Sequence, residues 1–447
     1  MVGWRKCFLR SLEIQWLLRK ELRELFTSRP FWLLLFLIGP LVGQAFCTAV
    51  ESYAEASGLV VGGPAALAQG LAPLDGILVP TFAAYDLVVT LLFPFVVIRA
   101  VASERESGAW KLLLQSPASM ATLLGTKALV LLLGWMLVWM PGLAALGFWK
   151  LYGGALYAPE VMNLLLGHLL RVMVGTGVAV AAASIAGGAA SAAIVTLGFT
   201  VGTWVLEFVA TGRGGWAETL AGYTPTAVLR LFEQGLLQLS AVIVCLVFSI
   251  FGFVLAGIWL SNSSHRILRT ALALLGFGIS LWIGSLPRAA WDVSENRRNS
   301  FPVEDEAALR QMHDPLRVTA YLAPEDPRLT DLSRNILSKF RRALPKVDVE
   351  YRSHSRAGLF EPSGDHYGEI WYEMNQRKVM SRSTTEPIVL AAIYELAQVT
   401  PPVQRVESAY AGHPLATHPI RAAAIFYYGF WPCVIGMACW YHFKNRN

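Results

Sequence analysis

Eight stretches of this chain are apolar for long enough to cross a lipid bilayer: 30–50, 81–100, 127–149, 162–185, 189–210, 236–260, 268–287 and 421–442. A spanning helix needs roughly 20 such residues to traverse about 30 Å of hydrocarbon. No water satisfies backbone polar groups there, so each run must bond internally as a helix. The expected fold class is therefore an α-helical polytopic membrane protein with about eight transmembrane helices. Composition agrees: 55% of the residues are hydrophobic and 15% charged, whereas soluble domains carry about a quarter charged residues. Residues 290–420 depart from this pattern and read as a small α/β domain outside the membrane.

Positive charge orients such a chain, because Lys and Arg collect on the cytoplasmic side. Arg5, Lys6, Arg10, Arg19, Lys20, Arg23 and Arg29 precede the first run. Arg99, Arg105, Lys111 and Lys127 lie between the second and third, His265, Arg266 and Arg269 between the sixth and seventh, and Lys444 and Arg446 follow the last. All fall on one side, which places both termini in the cytoplasm and residues 290–420 outside it. The net charge of +6 is thus explained by membrane orientation and implies no nucleic acid. The fourth and fifth runs are rich in Gly, Ala and Ser over 178–191, which suits close helix packing in lipid. Their boundary leaves one long bent helix over 162–210 open, which would invert everything after it. Residues 1–29 are charged and amphipathic, with Ile14, Leu18, Leu22 and Leu25 on one stripe of an interfacial helix. No cleavable signal peptide is expected, and the five cysteines show neither a disulfide framework nor a zinc spacing.

Between the second and third runs, the segment 102–126 opens with charges, turns at Gly108, and starts a short second helix at Ser116-Pro117. The residues Glu104-Arg-Glu-Ser-Gly108, Leu112-Leu-Leu-Gln-Ser-Pro117 and Leu124-Gly-Thr-Lys127 resemble the cytoplasmic loop of type-2 ABC exporter permeases. Tyr223-Thr-Pro-Thr-Ala-Val-Leu-Arg-Leu-Phe-Glu-Gln-Gly235 is similar to the segment before that family's sixth helix. The resemblance covers about the first 260 residues. It implies a six-helix permease domain over 30–260 whose loop docks on a nucleotide-binding subunit through Glu104, Glu106, Gly108, Trp110, Ser116 and Pro117. It also implies two copies of a cytoplasmic ABC ATPase holding ATP and Mg, a second copy of this permease or a homologue, and a bacterial inner membrane.

Residues 261–289 supply a seventh helix and 421–447 a C-terminal anchor and tail. Between them, Arg317–Leu322 alternates like a strand, Leu329–Leu344 has helical periodicity, and Val347–Tyr351 is a second strand. Glu369–Met374 and Lys378–Arg382 read as a hairpin, and Glu386–Gln398 as a closing helix. With Trp291-Asp-Val-Ser-Glu-Asn-Arg-Arg-Asn-Ser300, this order resembles the extracytoplasmic domain of gliding-motility GldG-like proteins. The whole chain is similar to a GldF-type permease joined to a GldG-like region. That resemblance implies a docking module for a substrate or an envelope partner.

The chain has no GxxxxGK[ST] loop to cradle phosphates, no HExxH and no GxSxG elbow. ATP hydrolysis, if coupled to this protein, is expected on another chain, with no cofactor on this one. His413 and His418 could ligate a metal but read as a polar linker, and His354, Asp365 and His366 as loop residues rather than a catalytic set. Charge inside lipid is costly and tends to mark function. Asp86, His168, Arg171 and Glu207 are therefore candidates for a substrate path or an ion pair, with Arg171 and Glu207 as the expected partners. The leading reading is a transport permease. Force transmission without a translocated substrate, an intramembrane hydrolase using Glu207, His168 and Arg171, and a passive scaffold remain as alternatives.

Overall fold

The computed structural model describes residues 2–60, 70–210, 215–261, 264–323, 326–352, 366–402, 410–415 and 420–444, with side chains in the first helix from Ile14 onward. Among these, eight helices are long and apolar enough to cross a membrane. They are α2 (Arg29–Val60), α3 (Leu74–Glu106), α5 (Met120–Leu151), α6 (Ala158–Ile185), α7 (Ala189–Ala210), α10 (Leu239–Leu260), α11 (Arg266–Ser285) and α15 (Arg421–Lys444). The sequence runs match them one for one, and α2, α3, α5 and α6 extend beyond their apolar runs by a turn or more. A single helix over 162–210 does not form. The backbone leaves α6 at an extended Ala186, and α7 folds back against α6 and α3.

Of the eight, α6 is the most buried and α11 the least. The centre is the crossing of α6 with α10, where side chains are nearly absent: a Cβ added at Gly252 would lie 2.3 Å from the Gly177 carbonyl oxygen. Small residues permit this approach, and dispersion contacts between backbones hold it in lipid. The last helix returns to the first. Trp431 and Tyr427 of α15 fill the space over Gly39 and Gly43 of α2. The Trp431 indole donates to the Leu35 carbonyl at 2.7 Å and the Tyr427 hydroxyl to that of Pro141 at 2.8 Å.

The ends of the bundle differ. At one end lie α1 (Val2–Thr27), the segment holding α4 (Ala109–Leu113), and the α6–α7 and α10–α11 turns; we call it the loop end. In α1 the buried face centres on Leu17, Glu21 and Leu25, one residue away from part of the expected stripe. At the other end, α8 (Gly215–Ala221), α9 (Pro225–Glu233) and β1 (Leu236–Gln238) precede α10. There β1 pairs antiparallel with β2 (Ala290–Asp292), so the first strand after α11 is stitched to the bundle. Gly235 makes this possible: it sits at φ +79°, and a Cβ there would strike Ser294.

The domain has two layers. β3 (Leu316–Ala320) runs parallel to β4 (Val347–Tyr351), then antiparallel to β5 (Ile370–Met374), which pairs with β6 (Arg377–Ser381), in the order β4-β3-β5-β6. The crossover between β3 and β4 is α13, built from Pro327–Asp331, a π turn at Leu332–Leu337, and Ser338–Ala343. Leu332, Ile336, Leu337 and Phe340 pack with Val318, Tyr372 and with Val389 and Ile393 of α14 (Glu386–Ala397); α12 (Val303–Arg310) adds Leu309. The expected strand–helix–strand unit, hairpin and closing helix are all present. The hairpin turns on two residues, Asn375 and Gln376, both at positive φ, the geometry that matches strand twist.

Candidate functional site

The loop-end segment is built on one glycine. Gly108 has φ +76° and ends α3, so the chain reverses at once into α4. Trp110, 5% exposed, donates its indole N–H to the Leu260 carbonyl at 3.1 Å and so ties α4 to the end of α10. Leu113 is buried beside it, whereas Lys111, Leu112, Leu114 and Gln115 face outward. Ser116 closes the segment by donating to the Leu113 carbonyl at 2.6 Å, and Pro117 is exposed. The short second helix expected at Ser116-Pro117 instead starts at Met120 as α5, capped by Ser119, whose hydroxyl accepts the Thr122 N–H at 3.1 Å.

The flanking charges are turned inward. Arg105 donates to the carbonyls of Ala183 (2.6 Å) and Ala186 (2.8 Å) at the C-terminus of α6, and Glu106 accepts the Ala189 N–H at 3.1 Å at the N-terminus of α7. A cation on a helix C-terminus and an anion on the next N-terminus each complement the helix dipole. Glu104 is only 3% exposed. It pairs with Lys127 at 2.9 Å and with Lys20, while the Lys127 ammonium also donates to both Glu21 oxygens (2.8 and 2.9 Å) and to the Ala100 carbonyl (2.9 Å). Lys20 further meets Glu21 at 3.0 Å and Glu24 at 3.2 Å. Burial alone would lower Lys20, but Glu21 and Glu104 outweigh it and raise the ammonium above its ordinary value. Thus α1, α3 and α5 are joined by one buried ionic network.

The expected pair between Arg171 and Glu207 is replaced by two others. Arg171 on α6 reaches Asp86 on α3 at 3.6 Å, and Thr90 one turn further on donates to the same carboxylate at 3.3 Å. Glu207 on α7 meets Arg230 on α9 at 2.5 Å. The sequence reading overlooked α9 as a source of cations because its charges lie in a segment too short to span. Glu233, at the end of α9, is pushed up to about 7 by burial and by the nearby Asp86. His168 is 1% exposed between the rings of Phe82 (5.1 Å) and Tyr85 (5.7 Å), and neither ring nitrogen has a hydrogen-bond partner among the described residues. The four intramembrane candidates therefore occupy one half of the bundle, but as two ion pairs and an aromatic-caged histidine rather than one constellation.

At the domain end, Arg298 bonds Asp75 on α3 and donates to the Gln234 carbonyl at 3.0 Å. Glu160 on α6 accepts the Glu295 backbone N–H at 2.6 Å, and the Glu295 carboxylate holds His413 at 3.0 Å. Asp292 organises the entry to the domain, accepting from Ser294 and Asn299 backbone N–H groups at 3.1 and 2.9 Å. His413 is thereby a junction residue. His418, His354 and Asp365 lie outside the described residues, and His366 sits 3.0 Å from Glu369 on the domain surface. The sequence singled out none of Asp75, Glu160, Glu295 or Arg298 as contact residues, because each meets a partner more than 130 positions away. Comparison of the chain with protein-family models, with curated proteins and with solved structures found no match to any of them.

Proposed function

We propose that this chain is the membrane subunit of an ABC-type transporter, driven by a separate ATPase that docks on α4. The observation that carries the reading is the two-sided character of that short helix. Trp110 and Leu113 anchor it to the bundle, while Leu112, 68% exposed, and Leu114 project from the loop end between Lys111 and Gln115. An apolar knuckle on a rigid base suits insertion into a cleft of a partner protein. Everything behind it is connected: Trp110 leads to α10, Arg105 and Glu106 to the α6–α7 turn, and Glu104 to α1 and α5. Displacement of α4 would then move several helices together. In this reading Leu112 and Leu114 make the contact, and Glu104, Glu106 and Trp110 transmit it.

The excess of Lys and Arg at the loop end supports a cytoplasmic location for that end, for both termini and for the docking partner, and an outer location for residues 290–420. The bundle of α2–α10 would act as half of a transporter, paired with a second copy or a homologue and two ATPases carrying ATP and Mg, in a bacterial inner membrane. The stitching of the domain to the bundle through β1–β2 and Arg298–Asp75 favours a second reading as well, in which conformational change is passed to an outer partner with or without a cargo.

The test is co-purification with a phosphate-loop ATPase, followed by ATPase assays with the L112D/L114D variant. Burying two leucines is worth about 1.5–3 kcal/mol each. The variant should therefore bind the ATPase at least about tenfold more weakly while the bundle keeps its stability. Recovery of no such ATPase, or full stimulation by L112D/L114D, would sink the proposal.

A further inference from the structure

At the loop end, a cavity of about 290 Å³ opens between α1, α3 and α5, and it is lined by Glu24, Ser28, Arg99, Ser103 and the inward face of the ionic network. Among the described residues the network is short of one cation: Glu21, Glu24 and Glu104 face Lys20 and Lys127. Glu24 has a share in the Lys20 ammonium, which also serves Glu21 and Glu104, and its Oε2 is buried without a hydrogen-bond partner among the described residues. Burial, with Glu104 and Glu21 nearby, raises its pKa despite Lys20. Ser28 is 4% exposed, and its Oγ also has no partner among the described residues. Buried polar atoms in native proteins are nearly always bonded, so both point to a missing partner, a donor in the case of the carboxylate. A divalent metal fits poorly, because the Lys127 ammonium already lies within 2.9 Å of both Glu21 and Glu104. What the charge count leaves room for is a single monovalent cation.

Arg99 continues the site on its other side. It has no ion-pair partner among the described residues, and together with Ser103 and Ser107 it also lines a cleft of about 540 Å³. That cleft is walled by Phe95, Ile98 and Ala193, which in turn border an apolar slot of about 220 Å³ between α3 and α7, running past Leu91 and Leu197. From α1 towards the middle of the bundle, the surface presents an anionic pocket, the exposed Arg99 guanidinium, and an apolar groove.

We propose that this surface binds one glycerophospholipid of the ammonium-bearing, zwitterionic class from the loop-end leaflet. The headgroup ammonium donates to the Glu24 carboxylate and the Ser28 hydroxyl, the Arg99 guanidinium holds the phosphate, and one acyl chain lies in the α3–α7 slot. A charge-assisted bond to a carboxylate that shares its one lysine with two others is what distinguishes this lipid from an anionic one. The bound headgroup joins α1 to α3 beside the residues that carry α4, so its occupancy stiffens the loop end.

The purified full-length chain is loaded in detergent micelles with phosphatidylethanolamine, phosphatidylglycerol or phosphatidylcholine, and retained lipid is read by native mass spectrometry. No ATPase is involved, so the outcome is separate from that of the docking test. Phosphatidylethanolamine should be retained as a single copy at least about tenfold better than phosphatidylglycerol. Phosphatidylcholine, which cannot donate from its ammonium, should be retained more weakly than phosphatidylethanolamine. E24Q should erase the preference without lowering phosphatidylglycerol retention, S28A should weaken it, and R99Q should lower retention of all three lipids. Equal retention of phosphatidylethanolamine and phosphatidylglycerol by the unaltered protein overturns the proposal. So does a preference that survives E24Q, or, if E24Q does not fold, one that S28A leaves undiminished.

Discussion

Lys127→Met tests whether the buried network holds the loop end together. Lys127 is 2% exposed and its ammonium satisfies Glu21 at 2.8 Å, Glu104 at 2.9 Å and the Ala100 carbonyl at 2.9 Å. Methionine keeps most of the volume and removes the cation. Two carboxylates, 5% and 3% exposed, then face each other, and Lys20 remains as their shared counter-ion. Removing one partner of a buried pair costs about 3–5 kcal/mol, because the other charge stays desolvated and unmatched. Since Lys20 still compensates in part, we place the loss near the lower end of that range, at about 3 kcal/mol. The control is Lys150→Met at the opposite, exposed end of α5, which should change stability by no more than about 0.5 kcal/mol. Neutralising the whole group as E21Q/E104Q/K127M should cost less than K127M alone, because no unmatched charge is left behind. The assay is reversible unfolding by SDS in mixed micelles, followed by tryptophan fluorescence. If K127M is no worse than the control, or the triple variant is no better than K127M, the network is not the structural lock described.

Gly43→Ala should loosen α15, since a Cβ there would lie 2.3 Å from that of Tyr427; overpacking costs about 1–3 kcal/mol, and the G43A/Y427A double variant should lose less than the sum of the singles in the same unfolding assay. Arg105→Ala removes a cation from two carbonyls at the end of α6 and should cost about 1.5–3 kcal/mol. Amide hydrogen exchange at residues 183–192 should accelerate, and lysine should restore less than half because it lacks the planar fork. In the domain, Asp326 caps α13 by accepting the Arg328 N–H at 2.9 Å. Its side-chain hydrogen bond with Arg328 holds the carboxyl below the ordinary value. A depressed carboxyl stabilises the fold above its unfolded pKa of about 3.9 and loses that contribution as pH falls through the folded value. The advantage of the unaltered protein over D326N, under about 1 kcal/mol for a pair whose guanidinium is 42% exposed, should therefore be present at neutral pH and close in acid. Limited proteolysis of the domain across that pH range reads it.

What the sequence alone determined is whatever depends on neighbours along the chain. Helices in lipid must satisfy their own backbone, so apolar length alone located all eight spans. The period-two pattern of β3, the 3.6-residue pattern of α13 and the Asn375-Gln376 turn are equally local, and the domain was legible from them. The Glu-Arg-Glu-Ser-Gly segment was recognisable as a turn at a helix end, because only Gly108 accepts the left-handed geometry there. Tertiary structure decided which charges meet. Nothing along the chain sets Glu21 opposite Lys127, and Arg171 was expected to pair with Glu207 but meets Asp86, on an earlier helix. Burial then separated Glu104 and Trp110, which face inward, from Leu112 and Leu114, which face out. The physical reason is the same in each case. Coulomb energy and desolvation depend on separation in space, and the packing of α1, α3 and α5 sets those distances while no local pattern in the chain encodes them.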